Sequence, residues 1–92
     1  NDIAFLEEWS FAPNPVRRNS ELYVRFRTGR SFTGDVQLFN VTGQLVRQVG
    51  TTAFAPGANQ VRVSTADLSP GIYLLSLVAE GGRLTQRIVV ME

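Results

Sequence analysis

The sequence predicts an all-β fold, an Ig-like antiparallel β-sandwich of about seven short strands. Three observations lead there. Apolar residues recur with period two rather than 3.6 along most of the chain. Turn residues interrupt the apolar runs at a spacing of roughly ten residues, as in a sandwich. No long stretch carries helical periodicity, Ala4–Trp9 being the ambiguous segment. At 92 residues the chain suits one domain with one modest core.

The elements follow in order. A short opening strand fits Glu8–Ala12, with Trp9 and Phe11 on one side. Pro13-Asn14-Pro15 ends it, because proline lacks an N–H and restricts the residue before it. Over Glu21–Arg27, Leu22, Val24 and Phe26 alternate with Glu21, Tyr23, Arg25 and Arg27, the pattern of a half-buried strand. Asp35–Val41 places Val36 and Leu38 on one face. Val41-Thr42-Gly43-Gln44 then suits a tight hairpin with Gly43 at positive φ. The returning strand, Gln44–Val49, has Leu45 and Val49 on one face and Val46 on the other.

Ala55-Pro56-Gly57-Ala58 is a Pro-Gly turn, after which Asn59–Ser64 presents Val61 and Val63 on one face. Ser69-Pro70-Gly71 is a second such turn. Gly71–Ala79 is apolar on both faces and reads as a central strand. Glu80-Gly81-Gly82-Arg83 is a Gly-Gly hairpin signal leading into the last strand, Leu84–Val90. The expected core is Leu22, Val24, Phe26, Val36, Leu38, Val61, Val63, Ile72, Leu74, Leu84, Ile88 and Val90.

Composition excludes much chemistry. Without cysteine or histidine there is no disulfide, thiol nucleophile, thiolate metal site or imidazole base. Ser10, Ser31, Ser64 and Ser76 have no histidine to activate them. The carboxylates are scattered, Glu7 and Glu8 would face opposite ways on a strand, and Asp67 reads as a turn residue. No enzyme, metal or cofactor is expected. Net charge is +1, from nine arginines and eight carboxylates without blocks. Arg17-Arg18 is the adjacent basic pair, and Arg25 and Arg27 share a strand face; that is too sparse for nucleic acid. No apolar run reaches the roughly 18 residues of a membrane helix, so no membrane insertion is expected. No basic stretch followed by an apolar one is visible after Asn1, so no signal peptide is read in this sequence; were the protein exported, that signal would lie upstream of Asn1. Asn40-Val41-Thr42 matches a glycosylation sequon, a short pattern of low specificity.

The order of turns and strands resembles the type A C-terminal sorting domain of type IX secretion cargo, a family of Bacteroidota and related bacteria. The residues that carry the resemblance are Phe11-Ala12-Pro13-Asn14-Pro15-Val16; the strand Leu22–Phe26; the hairpin Val36–Gln44 with Gly43; Gly57, Asn59, Val61, Val63 and Leu68; Pro70-Gly71-Ile72-Tyr73; and the final Arg87-Ile88-Val89-Val90. Each piece alone is weak, but their order and spacing together are specific. The chain departs from the pattern at its end, Met91-Glu92, where family members often carry a lysine or arginine.

The resemblance implies a recognition module without an active site. The type IX machinery would recognise the folded domain in the periplasm and pass its cargo across the outer membrane. A sortase-like peptidase would then remove the domain, leaving the cargo released or attached to anionic lipopolysaccharide at the cell surface. Residues 1–8 are expected to end a linker from an upstream cargo domain, and 9–92 to form the sorting domain. The candidate recognition residues are Pro13, Asn14, Pro15, Gly43, Gly71, Tyr73, Thr85, Arg87, Ile88, Val89 and Val90. Docking is expected at the edge formed by the Pro13–Pro15 turn and the terminal strand, since strand addition to an open edge is a general recognition mode. Maintenance of the fold alone is the competing reading of these residues. Gly71 is expected to serve close packing or a special backbone angle, and Tyr73 to pack with its hydroxyl at the rim. The alternative function is an Ig-like accessory module binding carbohydrate or a neighbouring domain, for which Trp9, Tyr23, Phe32, Phe39, Phe54 and Tyr73 supply scattered aromatics.

Overall fold

The alternating apolar runs fold into eight strands: β1 Leu6–Ala12, β2 Val16–Arg17, β3 Glu21–Thr28, β4 Phe32–Asn40, β5 Leu45–Phe54, β6 Gly57–Ser64, β7 Gly71–Ala79 and β8 Gly82–Met91. This computed structural model describes residues 6–80 and 82–92. A three-stranded sheet has the order β1-β3-β6 and a five-stranded sheet the order β2-β8-β7-β4-β5. All pairs are antiparallel except β2 with β8, which join in parallel at Val16↔Val90 and Arg17↔Met91. The all-β sandwich expected from the sequence is therefore what forms, with β2 as the added strand.

The inner faces of both sheets meet in one cluster. Leu22, Val24 and Phe26 of β3 and Val61 and Val63 of β6 face Val36 and Leu38 of β4, Leu75 and Leu77 of β7, and Ile88 and Val90 of β8. Phe26, Phe32 and Phe54 pack ring against ring at centroid separations of 5.1–5.9 Å, and Trp9 of β1 closes on Phe26 at 6.2 Å. Such pairs add to the area they bury.

Three core expectations are corrected. Ile72 and Leu74 are 42% and 37% exposed, whereas Tyr73, Leu75 and Leu77 are buried. A strand apolar on both faces gives no parity of its own, and the register Leu74↔Arg87 and Leu75↔Gln86 turns the even residues outward as far as Leu74. Leu84 is half-buried against the core rather than within it. On β1 a bulge between Glu7 and Ser10, with Glu8 at φ 54°, turns both glutamates to solvent, where strict alternation would have separated them. Ala79 pairs with Gly82, so Gly82 already belongs to β8 rather than to the turn of the last hairpin. Gly81 itself lies outside the described residues, as do Ala4 and Phe5 of the ambiguous segment Ala4–Trp9, whose other residues, Leu6–Trp9, are strand.

Candidate functional site

The Pro13-Asn14-Pro15 turn is brought to the last strand by the fold. The Val89 N–H donates to Asn14 Oδ1 at 3.0 Å, across 75 positions of sequence. Just beyond it, Val16 is fully buried as β2 lies along Val90 and Met91, and the Arg18 N–H donates to the Met91 carbonyl at 2.7 Å. The loop that holds β2 there is pinned by Thr65, which is completely buried. Its hydroxyl accepts from the Ser20 N–H at 2.8 Å and reaches the Arg17 carbonyl at 2.7 Å. Its own N–H donates to the Ser20 carbonyl. Sequence reading passed over Thr65, because a threonine between a strand and a turn has no pattern of its own; the only signal is its position just after Ser64, at the end of an alternating run.

These contacts define the edge of the five-stranded sheet. Val89 N–H and the Met91 carbonyl both point away from β7. A strand's outward backbone groups recur every second residue, so those of Arg83, Thr85 and Arg87 point the same way. The neighbour on that side, β2, reaches only Val90 and Met91. Among the described residues, the edge from Arg83 to Arg87 therefore has no backbone partner. An open edge invites pairing, and charged side chains restrict what can pair with it. A second copy added at this edge would bring arginine against arginine.

The candidate residues divide by face. Thr85 and Arg87 stand on the exposed outer face and Val89 is half-buried beside them. Ile88 and Val90 point into the core, and Tyr73 is 7% exposed. The Tyr73 hydroxyl, expected at the rim, donates to the Ser69 carbonyl at 2.6 Å and clamps the turn before β7. Gly71 opens β7 opposite Val90 at φ 153°, and a side chain there would meet nothing within 4 Å, so backbone angle rather than close packing calls for glycine. Gly43 has φ 89° in a hairpin whose turn is closed by Asn40: its Oδ1 accepts from the Thr42 N–H, the Thr42 hydroxyl and the Gln44 N–H. The Asn40 amide of the sequon is thus engaged, with its nitrogen donating to Gln44 Oε1.

On the outer face, β4, β7 and β8 form a groove of about 250 Å³ lined by Phe39, Gly43, Leu74, Ser76, Arg83 and Thr85. Ser76 is 1% exposed, and its Oγ has no hydrogen-bond partner. Asp35, the carboxylate of this face, is taken up by Gln37, Gln48 and the Gly50 N–H. Among the described residues, both ion pairs lie on the other sheet, Arg27 with Glu8 and Arg62 with Glu21, and none engages Arg17, Arg18, Arg83 or Arg87. Of the aromatics, Phe32, Phe54 and Tyr73 are buried and Trp9 packs on Phe26, which leaves no flat aromatic platform among the described residues. Nor do those residues contain three carboxylates grouped to hold a metal ion, and no helix is long and apolar enough to cross a membrane.

A solved structure of the alkylpurine DNA glycosylase AlkC from Pseudomonas fluorescens, bound to DNA with an abasic-site analogue, superposes with TM-score 0.58 at 9% identity. The match covers 95% of this chain and 30% of that one, and at this identity it concerns the fold alone. No curated protein sequence matches. The family model of the secretion system C-terminal sorting domain matches residues 10–91, from the middle of β1 to the last residue of β8, and so takes in the proline turn, the Gly43 hairpin and the terminal strand alike. The chain belongs to the type IX secretion C-terminal sorting domains.

Proposed function

We propose that this domain addresses an upstream cargo to the type IX machinery through the edge of β8, and that a sortase-like peptidase removes it after export. The cargo passes through the periplasm and ends at the cell surface or outside the cell. Residues 1–8 close the linker from that cargo, the last of them already drawn into β1. The observation that carries the docking assignment is the meeting of Asn14 with Val89. Two signatures at opposite ends of the chain compose one edge, which stops where Asn14 and β2 cover it and stays open from Arg83 to Arg87. Thr85 and Arg87 face the partner, while Ile88, Val90 and Tyr73 hold the strand to the core, and Gly43 and Gly71 shape the turns at its flank.

The test fuses the chain to the C-terminus of a passenger with its own N-terminal export signal, in a host with a working type IX system. Passenger outside the cell and lacking the domain by mass spectrometry supports both steps. Exported passenger that keeps the domain removes the peptidase from the account. Passenger held in the periplasm despite a folded domain overturns the sorting assignment.

A further inference from the structure

The groove over Ser76 has a feature that fold maintenance does not explain. A buried hydroxyl without a partner costs stability, and natural interiors rarely retain one. Ser76 lies across from Thr85 on β8 and from Gln37 on β4, and the Gln37 amide nitrogen already donates to Asp35. Phe39 and Leu74 form apolar walls, while Arg83 and Thr85 supply a cation and a second hydroxyl at the β8 side. Arg83 and Arg87 have no carboxylate among the described residues. An apolar wall, an orphaned hydroxyl and unpaired guanidinium groups match one kind of guest: a side chain with a hydrocarbon stem and a carboxylate tip.

We infer that this groove receives a glutamate of a partner protein, within an extended segment that alternates acidic and apolar residues. The carboxylate pairs with Arg83 and accepts from Thr85 Oγ1, and from the buried Ser76 Oγ as the side chains over it part, while the stem lies between Phe39 and Leu74. Charge-assisted hydrogen bonds of this type are stronger than neutral ones. An apolar neighbour on the segment covers Leu74 and Ile72, and a further acid reaches Arg87. The inference deepens the sorting assignment by naming the chemistry of the partner and rests on it for biological meaning.

The probe is a capped heptapeptide alternating glutamate with leucine, titrated into the isotope-labelled domain and followed by amide NMR shifts. The expected result is saturable shifts at Leu74, Ser76, Arg83 and Thr85, with the glutamine version of the peptide binding at least about tenfold more weakly. Arg83→Gln should weaken binding by a similar factor and Ser76→Ala several-fold, neither with a lowered melting temperature. Equal binding of the glutamine peptide, or shifts that survive Arg83→Gln, would overturn the inference. Passenger export separates it from the sorting assignment. If the intact chain and Ser76→Ala with Arg83→Gln export equally well, the groove fails and sorting stands. If the peptide binds as described but the intact, folded chain exports nothing, the groove stands and sorting fails.

Discussion

On the outside of the three-stranded sheet, Glu8 faces Arg27, Glu21 faces Arg62, and Arg25 donates to Gln60 at 2.8 Å while lying over the Tyr23 ring. On the outside of the five-stranded sheet, Ile72 and Leu74 stand in solvent beside Arg87, and Ser76 keeps a buried hydroxyl unsatisfied. The first face completes its own chemistry with cross-strand partners, each worth a few tenths of a kcal/mol to about 1. The second leaves apolar area and cations exposed, over a buried hydroxyl without a partner. Scattered exposed apolar residues are ordinary, but coincidence with unpaired charge and an open backbone edge marks an interaction surface. One sandwich face is finished by the fold; on the reading proposed above, the other is finished by a partner.

The largest effects should separate inside from outside within a single element. Leu75→Ala, in the core, should lower unfolding free energy by about 2–5 kcal/mol, and Leu74→Ala, one residue away on the outer face, by less than about 1. Paired urea melts check this; equal losses would mean that the outer face is core. Phe26→Ala should cost about 3–5 kcal/mol, since Trp9, Phe32 and Phe54 all lose a ring contact.

The parity of β7 also shows how far the sequence was readable. Strands β3 and β6 alternate cleanly because their outer positions are polar, and their buried residues are legible at sight. β7 is apolar at both parities, so only its register with β4 and β8 decides which leucines are inside. The candidate edge was partly legible: the family resemblance named the proline turn and the terminal strand as one edge and marked Tyr73 and Gly71, but the bond that joins the two was not legible, because Asn14 and Val89 lie 75 residues apart. Thr65 and the Ser76 groove were not legible, since a lone hydroxyl gains meaning only from what surrounds it. The two-residue β2 is too short to leave a periodic trace.

Intermediate effects sharpen the comparison at the seam between the sheets. Thr65→Val should destabilise by about 1–3 kcal/mol by stranding the Ser20 N–H and the Arg17 carbonyl. Gly71→Val should cost about 1–3 kcal/mol through its positive φ. A midpoint unchanged for both would detach β2 and the β7 entry from the cooperative core. The smallest effects belong to the surfaces. Glu8→Gln should cost less than about 1 kcal/mol, a difference that salt erases. Ser76→Ala should be neutral or stabilise by up to about 1 kcal/mol, because it removes an unsatisfied hydroxyl; a loss beyond 1 kcal/mol in denaturant melts would show that Ser76 serves the fold.

The most direct measurement of the central claim compares two surface double variants, one on each face, for export of a fused passenger. Thr85→Ala with Arg87→Gln alters the five-stranded sheet at its open edge. Arg25→Gln with Arg62→Gln alters the three-stranded sheet. With both domains shown to melt as the parent does, the account predicts that the first passenger stays in the periplasm and the second reaches the medium or cell surface. Export of the first, or retention of the second alone, would contradict it.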